Sequence, residues 1–598
     1  MRVFDAELPE IGLQYLSRIA FSCKDYHACN HEIEDRCGCV DFFPSQEHVE
    51  SIKKLSNDCS CNCVAESRAE YGDFQTNMDL ADSIGQYLLK KGIDPEFVIE
   101  PTCGKGNFII ASLHVFHSLK SIIGIEIYEP YVWQCKFNVL CHFLNHPTHS
   151  KPKIQIFHCN VFDFDFQKLK RHIENEKLLV IGNPPWVTNS MLGALGSENL
   201  PNKTNFKKHK GIDAITGKGN FDIAEYIVFS LLKTFDKVNG CLSLLLKNSV
   251  IKNVVYEQHN NRFCISSIKE MNIDSKREFG VSVSASLLLC QLNKPASFQC
   301  EVSDFYGKTF ISRYGWVEDS FLSKIEDDCP QKESVEGKCQ LTWRQGVKHD
   351  CSKVMELERE NTYFVNKLNE TFELEDDLVY GILKSSDLKN KIAPLPQKYT
   401  VITQKFIGQD TGYILQYPKT YEYLLKHADL FLNRKSSIYD GKPAFSIFGI
   451  GDYSFKLYKV AISGLYKTFH FTLVLPKDGK PVMLDDTCYF LGFDEIEEAV
   501  AICVLLNNEN VQSFLRSIAF PDAKRMINKE VLMRIDLKKA YDSANKDFLL
   551  EQANQMMKEI GGNQTIIKKE VFEYLLHQVE DNQLSLFDRI NVLNNNEQ

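Results

Sequence analysis

Apolar positions in the first half of the chain fall in short unbroken runs rather than in alternation. The stretches "EFVIE" (96–100), "SIIGIEI" (121–127), "KIQIFHC" (153–159), "LLVIGN" (178–183), "CLSLLLKN" (241–248) and "SASLLLCQL" (284–292) suit strands in length and are too short for helices. Runs without polar alternation belong to strands covered on both faces. Between most of them the apolar residues change to helical spacing, as in "NFIIASLHVFHSL" (107–119) and "FDIAEYIVFSLLKTF" (221–235). The alternation predicts an α/β fold with a mostly parallel sheet and helices on both faces. Upstream, "YGDFQTNMDLADSIGQYLLKKG" reads as a helix capped by Thr76 or Asn77 and ended by Gly92, with Leu80, Ile84 and Leu88 on one face.

Beyond about residue 300 this rhythm loosens. The expected division is a cysteine-rich extension at 1–67, a catalytic domain at 68–300, a connector at 301–376, an α+β recognition domain at 377–540 and a polar helical tail at 541–598. A chain of 598 residues is too long for one compact domain. Its apolar content of 44% and charged content of 25% are ordinary for globular proteins. There is no apolar run long enough to span a membrane, and "MRVFDAELPE" lacks the core of a signal peptide, so the cytoplasm is the expected location.

The net charge of −10 changes the picture only locally. A nucleic-acid enzyme needs a basic surface, not a basic chain. "KTNFKKHKGIDAITGK" (203–218) holds five lysines against one aspartate, and Lys203, Lys207 and Lys208 are candidates to face DNA. The C-terminal half mixes Arg, Lys, Ser and Tyr among glycines and aromatics. Arg434, Lys435, Lys456 and Lys459 are the candidates there. Seven of the 20 cysteines lie between Cys23 and Cys63. Their spacing matches no paired knuckle. Buried free thiols are the favoured reading, with zinc at Cys59, Cys61 and Cys63 the alternative.

The chemistry concentrates at strand ends. "FVIEPTCGKGNFIIASL" runs from strand to helix through a turn with Gly104 and Gly106, where glycine permits close backbone approach to a ligand. Glu100 closes the strand, with Pro101 and Cys103 following. The third glycine of a dinucleotide fingerprint would fall at Ile109, so that reading fails. A carboxylate at the strand end suits a cationic ligand, and S-adenosylmethionine carries a sulfonium and an ammonium. Glu126 closes the next strand, where a carboxylate accepts ribose hydroxyls. Asn160 follows the third strand and can accept from an adenine amino group, and the amides near Thr76 can hold a carboxylate.

The fourth strand runs into "NPPW". Asn183 offers an amide oxygen, and Pro184, which has no N–H, offers a carbonyl. Two fixed acceptors suit an amino group with two hydrogens. Pro185 stiffens the turn, and Trp186 presents a π face for a planar base, with Phe279 expected on the base's other side. This reading requires an accessible indole and a donor cavity opening on the same side. A base must leave the duplex to reach such a pocket.

These motifs resemble the N6-adenine DNA methyltransferases of restriction–modification systems, in the TaqI-type (gamma) order. The resemblance covers about residues 68–300. It implies a Rossmann-like S-adenosylmethionine-dependent catalytic domain followed by a target-recognition domain. By that resemblance Thr76, Glu100, Cys103 and Gly104 line the cofactor, Glu126 takes the ribose and Asn160 the adenine. Asn183, Pro184 and Trp186 bind the flipped base and Phe279 covers it. The family more often has Asp at the position of Asn160 and Tyr at that of Trp186. The expected activity is site-specific adenine methylation of duplex DNA, alone or beside a separate cognate restriction endonuclease. The alternatives are methylation of RNA or of a protein glutamine, and a catalytically silent DNA-binding subunit.

Overall fold

The computed structural model describes residues 2–55, 74–147, 151–173, 176–187, 222–325, 335–466, 468–520, 525–561 and 567–583. They form two compact units, 1–325 and 326–598.

The first unit begins with β1 (Arg2–Val3), β2 (Ala6–Glu7), α1 (Glu10–Ser22), α2 (Tyr26–Cys37), β3 (Cys39–Val40) and α3 (Gln46–Leu55). The α/β body follows: α4 (Met78–Lys90), β4 (Phe97–Glu100), α5 (Asn107–Val115), β5 (Ser121–Glu126), α6 (Glu129–Asn145), β6 (Lys153–His158), α7 (Phe166–Lys170) and β7 (Leu178–Gly182). After it come α8 (Ile223–Phe235), β8 (Gly240–Lys247), α9 (Asn248–Asn261), β9 (Ile265–Ile273), α10 (Ser275–Phe279) and β10 (Ala285–Leu292), then β11 (Gln299–Asp304), β12 (Phe310–Val317) and β13 (Ser320–Leu322).

The strands make one eleven-stranded sheet in the order β13-β12-β11-β9-β10-β8-β7-β4-β5-β6-β3. From β3 to β8 every pairing is parallel. β10 runs antiparallel between β8 and β9. The central strands are apolar throughout because both faces are covered: every residue of β4 and of β7 is buried. The chain builds outward from β4 to β5 and β6, then returns to add β7 on the other side of β4. That reversal puts a crevice beyond the carboxyl ends of β4 and β7, where ligands bind in open α/β sheets.

The expected domain boundaries differ from these units at both ends. Residues 1–55 are part of the first unit, not an appendage. β3 extends the sheet by pairing with β6, and the α6 lysine Lys136 donates to the carbonyls of Asp41 at 3.0 Å and Phe42 at 2.7 Å. Cys29, Cys37 and Cys39 are buried in the core with these elements. The expected connector is divided, since β11–β13 widen the eleven-stranded sheet and Glu356–Asn366 forms strands of the second unit.

The second unit is α+β, with a six-stranded sheet, a four-stranded sheet and helices. Its helix Ile496–Leu506 is buried along most of its length and packs against Lys546–Glu559. No helix among the described residues is long and apolar enough to cross a membrane.

Candidate active site

The crevice at the reversal point is a cleft of about 940 Å³, counted with its open mouth. Thr76, Glu100, Pro101, Cys103, Gly104, Glu126, Asn160, Asn183 and Pro185 all line it. Residues expected to hold a cofactor and residues expected to hold an amine therefore face one space.

Glu100 ends β4, is 3% exposed, and its Oε2 has no hydrogen-bond partner among the described residues. Burial pushes its carboxyl well above the ordinary range. A buried acid without a cation is costly, and a cationic ligand would relieve it. The next turn is shaped by glycine. Gly106 has φ +82°, and a Cβ there would lie 2.4 Å from the Cys135 sulfur. Gly104, at φ +50°, donates its N–H to Glu126 Oε2 at 2.9 Å, and Tyr128 donates its own to Oε1 at 2.8 Å. Two backbone amides thus hold the Glu126 carboxylate at the lip. Asn160 Oδ1 accepts from the Phe162 N–H at 3.1 Å, which orients the amide. Cys103 is hydrogen-bonded to Cys135 and buried, and its thiol is held well above the ordinary range.

The helix start is set by Asn77, whose Oδ1 accepts from the Leu80 N–H at 2.8 Å. Thr76 is left for another task. Its Oγ1 accepts from Asn183 Nδ2 at 3.3 Å, and the Phe74 carbonyl accepts from the same nitrogen at 2.8 Å. Both bonds fix the amide so that Oδ1 is the free end. That atom is buried and has no partner among the described residues. Pro184 is buried, and Pro185 is half-buried on the wall of the cleft.

Trp186 fails the condition its sequence reading set: the indole is part of the hydrophobic core, and the accessible plate expected for a base is not there. The indole is 5% exposed and does not line the cleft. Its Nε1 donates to the Leu245 carbonyl at 3.4 Å. Phe74 and Phe279 pack on it with ring centroids at 5.6 and 5.0 Å. The open stacking plate is thus covered by other aromatic rings. Both covering residues are half-buried, and Phe74 itself borders the cleft. The cleft lined by Glu100, Glu126 and Asn160 also takes in Asn183.

Several wall residues carried no signal that singled them out. Phe74 and Gln75 precede a helix read only for its cap. Ile127, Tyr128 and Tyr131 follow Glu126, and Phe162 follows Asn160. Ile127, next to Glu126, is 41% exposed, an open apolar side chain on the cleft wall.

In the second unit the structure overturns one DNA candidate outright. Lys459 lies on Tyr458–Ser463 and is fully buried. Its Nζ donates to the Lys456 carbonyl at 2.7 Å, and burial brings it down to about 7. Arg434 braces the fold. It donates to the carbonyls of Phe431 at 2.9 Å, Ser446 at 2.6 Å and His349 at 3.2 Å, and stacks 3.5 Å above the Tyr439 ring. Lys456 is paired with Asp494. Lys435 is exposed at a separate cleft that also includes Lys348, Lys384, Asp485 and Asp486. Lys203, Lys207 and Lys208, and the cysteines Cys59, Cys61 and Cys63, lie outside the described residues. Among the described residues no group of His, Cys, Asp and Glu is placed to hold a metal ion.

The mostly parallel sheet, its reversal beside β4 and the cleft at the strands' carboxyl ends define an α/β fold with a ligand site at the reversal point. No protein-family model matches the chain. It is similar to the type II methyltransferase M.NspV of Nostoc sp. (strain ATCC 29411 / PCC 7524), with 38% identity over 476 residues, 79% of this chain and 98% of that protein. It belongs to the type II methyltransferases of restriction–modification systems. Two solved structures are more remote. The type IIL restriction–modification enzyme MmeI in complex with DNA is 12% identical, over 86% of this chain and 72% of that one, with a TM-score of 0.48. The type I restriction enzyme EcoKI M protein is 12% identical, over 50% and 60%, with a TM-score of 0.27.

Proposed function

We propose that this methyltransferase uses S-adenosylmethionine to methylate N6 of an adenine flipped out of specific sites in duplex DNA. One observation carries the reading. Glu100 and Asn183 line one cleft at the sheet's reversal point, and Glu100 Oε2 and Asn183 Oδ1 are buried polar atoms with no partner among the described residues.

The donor set fits this cofactor. Glu100 suits its cationic end, Glu126 the ribose hydroxyls and Asn160 the adenine, while Thr76, Pro101, Cys103 and Gly104 line the wall and Gly106, which does not reach the cleft, shapes the turn against Cys135. S-adenosylmethionine supplies a methyl group already activated for in-line displacement. The protein's work is then positioning. Asn183 Oδ1 and the Pro184 carbonyl would accept the two amine hydrogens and turn the nitrogen lone pair toward the methyl group. A strong base is not needed before attack. Trp186 can meet the base only if the cover of Phe74 and Phe279 parts, so base entry includes a side-chain displacement. The second unit is proposed to read the target sequence, with Lys435 the remaining described candidate. A separate cognate restriction endonuclease and a cytoplasmic setting complete the reading.

The test is transfer of labelled methyl to duplex DNA, RNA and protein, followed by identification of the product. The expected product is N6-methyladenine in duplex DNA, lost in Asn183→Ala. N4-methylcytosine would reassign the base. Label confined to RNA or glutamine would refute the DNA reading, and undiminished transfer by Asn183→Ala would remove Asn183 from the mechanism.

A further inference from the structure

Glu278 does not line the cleft, yet its side chain is only 7% exposed. Its Oε2 accepts from Asn77 Nδ2 at 2.8 Å and its Oε1 from the Tyr306 hydroxyl at 2.7 Å, with Arg277 Nε 3.5 Å from Oε1. The Asn77 amide is used at both ends, because its oxygen caps α4. A carboxylate only accepts, so it fixes which end of the amide points each way.

The residues just before Asn77 carry the site. Phe74 and Thr76 orient Asn183, and the Thr76 carbonyl accepts from Asn107 Nδ2, beside the glycine turn, at 2.5 Å. Lys105 donates its N–H to Gln75 Oε1 at 3.2 Å. Residues 74–77 are thus a strap tied to the cofactor turn and to Asn183. Glu278 is its fastening at the far end, and the next residue, Phe279, rests on Trp186.

We propose that the Asn77–Glu278 hydrogen bond is a clasp that positions the strap and the Phe279 turn for methyl transfer. Glu278 acts through Asn77 and Phe74 on the amide of Asn183, and through its chain neighbour on the aromatic cover. The inference rests on the proposed role of Asn183.

The polarity of the bond supplies the test. Asn77→Asp keeps the capping oxygen, since Asp caps as well as Asn, but sets two carboxylates face to face. Adding Glu278→Gln then offers the introduced carboxylate a donor. Single-turnover transfer to unmethylated phage DNA is measured with cofactor affinity by calorimetry and with the melting temperature. Asn77→Asp is expected to lose about tenfold in rate with cofactor Kd within about twofold, and the Asn77→Asp/Glu278→Gln pair to recover to within about threefold of wild type. A role in stability alone would move the melting temperature without this pattern of rates. A wild-type rate in Asn77→Asp, or no recovery in the double variant, would overturn the clasp. Should Asn77→Asp not fold, Glu278→Ala decides on the same readouts, a wild-type rate again overturning the clasp. Asn183→Ala runs in parallel. If it is inactive while the clasp variants are unimpaired, the clasp alone fails. If it is active, the site assignment fails.

Discussion

Glu100→Gln should stabilise the protein and abolish cofactor binding together. Glu100 is 3% exposed, and its Oε2 is unpartnered among the described residues. The amide cannot ionise, so the variant escapes the stability the carboxyl loses as the unfolded chain deprotonates, about 1.4 kcal/mol per pH unit above the unfolded value, or several degrees in melting temperature for a unit of this size. The pH dependence gives the sign. Burial holds the folded carboxyl above its unfolded value near 4.5. The folded state therefore keeps its proton as pH rises while the unfolded state loses it. Stability present below the unfolded value is lost as pH climbs toward the folded one. The advantage of Glu100→Gln should be small at pH 5 and grow toward pH 8. Saturating cofactor at about a hundred times Kd should stabilise the wild type by about 2.7 kcal/mol and the variant hardly at all. Scanning calorimetry from pH 5 to 9, with and without S-adenosylmethionine, reads both effects. A variant that melts no higher than wild type at pH 8, or that binds the cofactor equally well, refutes the reasoning.

Two more outcomes follow from burial. Trp186→Ala should cost about 3–5 kcal/mol, seen as a lower melting temperature, because the indole sits under Phe74 and Phe279. An unchanged melting temperature with weaker DNA binding would instead show an open plate. Lys459→Met should leave DNA affinity and its salt dependence unchanged. The folded ammonium titrates at about 7 and the unfolded one near 10.5, so wild-type stability should rise with pH between them while the variant's does not. A shallower salt slope in the variant would return Lys459 to the DNA interface.

The strands β4 and β7 were legible because central parallel strands under helices on both faces are apolar end to end. The residues after them were legible because chain reversal leaves their carboxyl ends facing a crevice. What failed was set by distant partners. "ISSIKEMNI" forms β9 although Lys269 and Glu270 interrupt its apolar pattern. In the fold Lys269 pairs with Glu301 at 3.2 Å, and Glu270 accepts from the Tyr314 hydroxyl at 2.8 Å, so strands further along offset the penalty. The motif marked Trp186 as special, but nothing near it tells that Phe74 would cover the ring. Lys459 sits among Tyr, Val and Ala in a strand, and a lysine there reads as solvated unless both faces are known to be packed.

The pairing of β3 with β6 has a consequence during synthesis. Cys39 and Val40 lie against Ile154 and Gln155, which the ribosome makes more than a hundred residues later. At about 5–20 residues per second the delay is roughly ten seconds. Until then Cys37 and Cys39 lack the cover of that strand. In the finished protein burial lifts Cys37 to about 12 and Cys39 well above its usual range. The burial of this region is thus complete only once the later strand has been made.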